Sequence, residues 1–254
     1  MDTSEIDNGT IESLLNGIES TDSPGKTLSG VCKISQLYID GLLSIKEQPE
    51  YSELQRGVLD SLMRCGMLSA KAVYEGRSNL LPEIKNELSK NSEEFKRICA
   101  DRVSRSKYLE KSRPLIMNFR KDIEKLLLEE PFDTVIAISA GGLEPAFAIA
   151  SLRDTMKLMP IRLSPYMMLD TDIRVPYACS GSYLDEKMRE KRVLVVDDSV
   201  FSGFTIYNAM RFAVESGAKK TCGTAVEIIN AEAVRPVTKM AHRVCGDTIV
   251  LRYF

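Results

Sequence analysis

Short apolar, β-branched segments alternate with helical segments after Pro131, and this alternation limits the fold more than any other feature of the sequence. Five segments have the composition of strands: DTVIAIS, LMPIRL, RVLVVD, TCGTAVEII and DTIVLRYF. The helical segments between them include LEPAFAIASL and SGFTIYNAMRFAVESGA, which ends near Gly217. Strands joined by helices form parallel sheets that are covered on both faces. The pattern therefore predicts an α/β domain with a parallel sheet over residues 131–254.

The region before the first strand has a different pattern, in which apolar residues recur every three or four positions. Residues 1–30 are rich in Ser, Thr, Asp, Asn and Gly and are predicted to be a flexible N-terminal segment. Residues 31–130 are predicted to be helical, with one helix starting near Asn91 and another opened by Ser112 and Pro114. The pattern leaves open whether this helical region is a separate domain or packs on the sheet.

Composition and charge disfavour several classes of protein. A hydrophobic content of 44% and a net charge of −2 are typical of a globular domain, and this charge does not by itself indicate nucleic acid. No apolar run approaches the roughly 20 residues of a membrane span, and the acidic N-terminus lacks the apolar core of a secretory signal. We therefore expect a cytoplasmic protein with no membrane contact. The six cysteines include no C-x-x-C pair, and the single histidine, His242, cannot build a multi-histidine metal site.

The segment VLVVDDSVFSGFT carries the strongest chemical signal. It runs from a strand into two adjacent carboxylates, Asp197 and Asp198, and then into the turn Ser202–Thr205 before a helix. The backbone N–H groups of such a turn, its hydroxyls and the helix dipole can hold a phosphate, and Gly203 permits a close approach to the backbone. The carboxylates can accept hydrogen bonds from ribose hydroxyls or hold Mg²⁺ through water. The plain alternative is a solvated turn in which the acids cap the helix.

The letters VLVVDD also begin many response-regulator receiver domains, whose adjacent acids bind Mg²⁺. In those domains the acids follow the first strand. The residues after Asp198 are about half of those that a five-stranded domain of that type would still need. No later strand ends in a clear acceptor Asp followed by a Lys. This alternative is therefore disfavoured.

The same segment resembles the 5-phosphoribosyl 1-pyrophosphate (PRPP) signature of type I phosphoribosyltransferases, which has four apolar residues, two acids and a turn ending in T/S-G-x-T. The resemblance implies that Asp197 and Asp198 are the catalytic acids and lie at the ribose and at Mg²⁺. It also implies that the PRPP 5′-phosphate is bound by Phe201, Ser202, Gly203, Phe204 and Thr205.

An earlier segment, VIAISAGGLEPAFAIA, resembles the pyrophosphate-binding loop of the same family. The resemblance implies that pyrophosphate is bound by Ser139, Ala140, Gly141 and Gly142. Several members of the family have a non-proline cis peptide in this loop, so we expect one at Ser139–Ala140 or nearby. The resemblance covers roughly residues 131–229 and assigns nothing to the N-terminal half.

Residues 164–186 occupy the position of the family's flexible loop, which closes over PRPP and excludes water. The residues there that can reach a pyrophosphate are Tyr166, Arg174 and Tyr183. The alternative for this segment is an ordinary connection or an edge strand.

Several positions depart from the family pattern. Phe201 stands where purine-transferring members carry an acid, and Ala140 stands where many members have Lys or Arg against the pyrophosphate. Phe204 is bulkier than the usual occupant of the phosphate loop. Residues 164–185 contain no Lys, unlike the mobile loop of orotate-type members.

Residues 95–125 are locally basic, with ten Lys or Arg and four Asp or Glu. Apolar positions at helical spacing within this stretch favour a solvated amphipathic face. A nucleic acid partner is the alternative.

Together these features predict a phosphoribosyltransferase with Mg²⁺ as its cofactor. It would bind PRPP and transfer the phosphoribosyl group to a nitrogen nucleophile, a nucleobase or a related compound, with release of pyrophosphate. The departures keep open a PRPP- or nucleotide-sensing regulator without catalysis, and hydrolysis at the same site is a third possibility. The family's usual assembly leads us to expect a homodimer.

Overall fold

The computed structural model describes residues 10–45, 49–99, 112–139, 141–163, 173–230, 232 and 249–251. The chain divides into two compact units, Met1–Tyr108 and Leu109–Phe254. This boundary lies before the one that the sequence predicts near residue 130, because the helix Arg113–Glu129 belongs to the second unit. Arg120 of that helix donates an Nε–H hydrogen bond to the carbonyl of Ala148 at 3.1 Å, within the same unit.

The described part of the first unit is helical, as predicted. Its helices are α1 (Ile11–Ser20), α2 (Pro24–Leu42), α3 (Ser52–Tyr74), α4 (Leu81–Lys90) and α5 (Ser92–Cys99), with short 3-10 turns at Pro49–Tyr51 and Ser78–Leu80.

Residues 1–9 lie outside the described residues, but helices α1 and α2 replace the predicted flexible segment over residues 11–20 and 24–30. The polar residues that suggested a loop are helix caps: Thr10 accepts a hydrogen bond from the Ser13 amide at 3.3 Å, and Ser23 accepts one from the Lys26 amide at 3.5 Å. Pro24 then begins α2, where its missing N–H costs nothing. Local composition misled here because the same residue types that form loops also start helices.

Two cysteines of the first unit, Cys65 and Cys99, are buried in its core. Burial is the main cause that raises the pKa of each thiol from 9.0 to about 12. The folded state therefore holds these protons more tightly than the unfolded state. The resulting stabilisation is present below about pH 9 and is lost as the pH rises towards 12.

We expect Cys65 and Cys99 to react with iodoacetamide at pH 8 at least about a hundredfold more slowly in the native protein than in urea, because the thiolate is the nucleophile. The measurement is the labelling rate of the two cysteine-containing peptides by mass spectrometry. Equal rates in native and urea-unfolded protein would contradict the burial of these thiols.

The second unit contains a parallel sheet with helices between the strands. In chain order its elements are α6 (Arg113–Glu129), β1 (Thr134–Ser139), α7 (Leu143–Ala150), β2 (Lys157–Arg162), α8 (Ser182–Met188), β3 (Arg192–Val200), α9 (Phe204–Glu215), β4 (Lys220–Ile228) and β5 (Ile249–Leu251). A 3-10 turn at Tyr177–Cys179 precedes α8. The predicted fold class, a parallel-sheet α/β domain after a helical region, is confirmed.

The strands lie in the order β2-β1-β3-β4-β5, and every described pair is parallel. All six residues of β1 are buried, as expected for a strand with both faces covered. From β1 the chain first moves outward to β2 and then returns to the other side of β1 to form β3. The point between β1 and β3 is therefore where the strand order reverses, and open α/β sheets bind ligands at the carboxyl ends of such a pair.

None of the helices within the described residues is long and apolar enough to cross a membrane.

Candidate active site

The two sequence motifs follow the two strands that flank this reversal. The turn Gly141–Gly142 comes after β1, and the turn Phe201–Gly203 comes after β3. Because the strands are parallel neighbours, both turns lie at the same edge of the sheet.

A close contact between Gly141 and Asp198 joins the two motifs. A Cβ atom added to Gly141 would overlap the carboxylate of Asp198. Only glycine allows this carboxylate to lie directly against the backbone of the turn after β1. The turn after β1 and the acidic end of β3, which are far apart in the sequence, are therefore in contact in the structure.

Gly142 is needed for a different reason, since it lies against the backbone of both central strands. A Cβ atom at this position would be 2.7 Å from the carbonyl oxygens of Ile138 and Val196. Its amide donates a hydrogen bond to the Ile138 carbonyl at 2.9 Å. Gly142 also caps α7, so this contact fixes where the helix begins relative to β1 and β3.

The two acids lie within β3, which is longer than the sequence suggested. The predicted strand ends at Asp197, whereas β3 continues to Val200 because Ser199 and Val200 still pair with β4. Successive side chains of a strand point to opposite faces. The two carboxylates therefore leave opposite faces of β3: Asp198 is directed towards Gly141, while Asp197 is 8% exposed and accepts a hydrogen bond from the Asp198 amide at 2.9 Å.

The turn after β3 ends at Gly203, which adopts a left-handed conformation with φ of 85°. The 12-residue helix α9 begins at the next residue, and the Phe204 amide approaches the Ser202 hydroxyl at 3.5 Å. The first amides of a helix have no partner within the helix, and its dipole favours negative charge there. This turn has the chemistry of a phosphate site.

The two phenylalanines that depart from the family pattern are both exposed. The residue Phe201 is 63% exposed and Phe204 is 52% exposed. Neither ring is part of the core. Neither side chain can exchange a proton.

The buried hydroxyl of Ser139 has no hydrogen-bond partner among the described residues. Ser139 ends β1, directly before the glycine turn, and is 2% exposed. Its neighbour Ala140 lies outside the described residues, as does the peptide bond at which we expect a cis conformation. The roles predicted for this turn stay predictions.

The three residues predicted to reach a pyrophosphate from residues 164–186 have different positions. Arg174 is exposed and pairs with the end of β2, while Tyr166 lies outside the described residues. Tyr183 is buried on α8, with the Lys187 ammonium 4.7 Å from its ring centroid. The segment near Tyr183 is thus a helix rather than a loop, and its aromatic side chain is part of the packing.

One basic residue that the sequence analysis did not single out lies at the glycine turn. Arg162 ends β2, next to the end of β1, and its Nη1 donates a hydrogen bond to the carbonyl of Ser139 at 2.9 Å. In the sequence, Arg162 is recognisable only as a basic residue at the carboxyl end of a predicted strand. Its contact with the glycine turn depends on β2 and β1 being neighbours in the sheet.

Asp198 could hold a metal beside the glycine turn, and Asp197, whose carboxylate leaves the opposite face of β3, could reach the same ion through water. No group of three or more His, Cys, Asp and Glu forms a metal site among the described residues. A Mg²⁺ ion bound by two carboxylates retains waters or takes oxygens from the substrate. His242 lies outside the described residues.

Most of the described basic residues in the stretch 95–125 either form an ion pair within their own unit or are buried there. Lys96, Arg97 and Lys125 form ion pairs with acids three residues earlier on their own helices. Arg120 is buried. This arrangement agrees with amphipathic helices, and a contact with nucleic acid stays a prediction.

Among solved structures, the comparisons find phosphoribosyltransferases, which is the family that the motifs resemble. A purine phosphoribosyltransferase from Pyrococcus horikoshii matches with a TM-score of 0.39 and 21% identity, over 57% of this chain and 85% of that chain. An APRTase from Giardia lamblia has a TM-score of 0.39 and 16% identity, over 54% and 78%. An orotate phosphoribosyltransferase from Mycobacterium tuberculosis, solved with PRPP, has a TM-score of 0.35 and 16% identity, over 56% and 72%. No family model matches the sequence, and no curated protein matches it significantly.

Proposed function

We propose that this chain binds PRPP with Mg²⁺ at the β1/β3 edge and transfers the phosphoribosyl group to a nitrogen nucleophile, with release of pyrophosphate. The observation that supports this most is the contact between Gly141 and the Asp198 carboxylate, because it unites a phosphate-type turn, an acidic strand end and a second glycine turn. A ligand with a phosphate at one end, a ribose in the middle and a pyrophosphate at the other end requires these three features side by side.

Each part of PRPP has a matching group in this proposal. The 5′-phosphate binds the turn Ser202–Thr205 and the first amides of α9. The ribose hydroxyls donate hydrogen bonds to the Asp198 carboxylate. The Asp197 carboxylate accepts a hydrogen bond from the Asp198 amide and so helps to hold the backbone of Asp198 in place. The pyrophosphate binds the turn Ser139–Gly142, where the unpartnered hydroxyl of Ser139 gains a partner.

Carboxylate oxygens are suitable ligands for Mg²⁺, and Asp197 and Asp198 are the residues that would hold it: Asp198 from the face that lies against Gly141, and Asp197 through water. When bound, the ion would neutralise charge on the pyrophosphate. The protein's own groups would hold the ribose between the two anion sites, so that the nucleophile and the leaving group lie in line.

The reaction forms a bond between the attacking nitrogen and the anomeric carbon, while the bond from that carbon to pyrophosphate oxygen breaks and its electron pair leaves with pyrophosphate. A backbone amide of the glycine turn other than that of Gly142, which donates to Ile138, would stabilise the charge on the leaving group. Phe201 offers no proton acceptor, so this turn favours a nucleophile that needs no base at that position.

The test is pyrophosphate release from PRPP and Mg²⁺ in the presence of pooled purine and pyrimidine bases. We expect release that depends on the pool and that is lost in the double variant Asp197→Asn/Asp198→Asn. Dividing the pool would then identify the acceptor.

If the protein binds PRPP but releases no pyrophosphate with any of the acceptors, a sensor of PRPP would be favoured over a transferase. Absence of PRPP binding to the wild-type protein would contradict the proposal as a whole.

A further inference from the structure

The end of β1 is paired with the rest of the sheet on one side only. The pairing of β1 with β3 ends at Ala137, whereas its pairing with β2 continues to Ser139, which lies opposite Arg162. The residues that follow form the glycine turn at which we propose that pyrophosphate binds. Contacts from β2 therefore help to determine where this turn begins.

Arg162 makes such a contact through its side chain. Its Nη1 donates a hydrogen bond to the Ser139 carbonyl at 2.9 Å, in addition to the backbone pairing of the two strands. Because Ser139 is buried, this carbonyl requires a donor from the protein, and a bond to a charged donor is the stronger kind. The guanidinium presents its donors in a fixed planar arrangement, so it restrains the direction of the carbonyl that it binds.

The direction of this carbonyl matters because a phosphate site is formed by N–H and O–H groups, whereas a carbonyl oxygen that faces an anion repels it. Two carbonyls at the end of β1 are held by donors of the protein: that of Ile138 accepts the Gly142 amide at 2.9 Å, and that of Ser139 accepts the Arg162 guanidinium. Since a peptide bond is planar, fixing the Ser139 carbonyl also fixes the peptide plane at the entrance to the glycine turn.

We propose that Arg162 is a positioning residue for the pyrophosphate site, because it holds the Ser139 carbonyl towards β2 and so keeps that oxygen away from the bound anion. The buried Ser139 hydroxyl, which has no partner among the described residues, is held in place by the same bond and donates to the ligand. This inference rests on the proposed function for the identity of the ligand. The role depends on the hydrogen bond to the Ser139 carbonyl and requires no contact between Arg162 and the ligand.

The experiment combines ligand binding with hydrogen–deuterium exchange. Calorimetric titrations at constant ionic strength compare two probes, inorganic pyrophosphate and ribose 5-phosphate, and exchange in the unliganded protein is followed for the peptide that contains Gly141 and Gly142. The variants are Arg162→Met, which removes the donors but keeps an unbranched chain, and Arg162→Lys, which keeps a donor. Arg153→Met is the matched control, since Arg153 is also half-buried and donates to a main-chain carbonyl of the same unit, that of Leu127.

We expect Arg162→Met to weaken pyrophosphate binding roughly 3- to 30-fold, because the hydrogen bond that directs the Ser139 carbonyl is lost. The glycine-turn peptide should exchange faster in this variant even without a ligand. Ribose 5-phosphate affinity should be unchanged, because its phosphate binds the turn before α9. Arg162→Lys should lie between wild type and Arg162→Met in both measurements, and Arg153→Met should match wild type.

Weaker pyrophosphate binding with unchanged exchange would overturn the inference, since Arg162 would then act on the ligand directly. An unchanged pyrophosphate affinity in Arg162→Met, or an equal loss for both probes, would overturn it as well, as would wild-type protein that binds PRPP but not pyrophosphate. The proposed function fails separately, if wild-type protein does not bind PRPP. Exchange in the unliganded protein would then still show whether Arg162 holds the turn.

Discussion

Asp198→Asn should lower the affinity for PRPP with Mg²⁺ by at least tenfold, with little change in thermal stability. The substitution keeps the size of the side chain that lies against Gly141 but removes its charge. Hydrogen bonds to charged groups contribute about 1.5–3 kcal/mol, which corresponds to roughly 10- to 100-fold in affinity. The measurement is the Kd for PRPP by titration in the presence and absence of Mg²⁺.

The dependence on Mg²⁺ makes this prediction specific. Asp198→Asn should weaken PRPP binding less when Mg²⁺ is absent, because the charged hydrogen bond to the ribose is still lost but one repulsion with the PRPP anion is removed as well. Asp185→Asn is the control, since Asp185 is an exposed acid on α8 that pairs with Arg189. An unchanged Kd in the presence of Mg²⁺ would refute the role of Asp198.

Gly142→Ala should destabilise the α/β unit by about 1–3 kcal/mol and prevent ligand binding, because the added methyl group meets backbone rather than a movable side chain. The carbonyls of Ile138 and Val196, each 2.7 Å from the new Cβ, belong to β1 and β3 and can move only if the strands separate. The backbone of Gly142 has φ of −72°, so alanine can adopt it and the effect is purely steric. Thermal unfolding and PRPP titration measure the two effects.

Two glycine variants serve as comparisons for Gly142→Ala. In Gly141→Ala the three atoms nearest to the new Cβ belong to the Asp198 side chain, which can move, so this variant should reduce PRPP binding with a smaller loss of stability. Gly57→Ala, on the exposed face of α3 with no atom within 4 Å of the new Cβ, should stabilise the protein by about 0.5–1 kcal/mol. A Gly142→Ala variant as stable as wild type would contradict the close approach of α7 to the central strands.

Local patterns predicted most of the secondary structure of the α/β unit. The strand segments were recognisable because they are β-branched runs separated by helical segments, and each corresponds to a strand of the sheet. The same reasoning failed for residues 11–30, where Thr10 and Ser23 suggest loops by composition but cap helices in the structure. The sequence pattern also predicted that the third strand ends at Asp197. In the structure β3 continues to Val200, because its last residues pair with β4.

By itself, the sequence determined the chemistry of the candidate site: two adjacent acids, a Ser-Gly-Phe-Thr turn before a helix, and paired glycines after an earlier strand. These features are local, so they can be recognised from neighbouring residues. Only the tertiary structure decided that Gly141 lies against the Asp198 carboxylate and that Arg162 lies at the same turn as Ser139. Those contacts depend on β1 lying between β2 and β3, and strand order is set by long-range packing of the whole sheet rather than by any short segment.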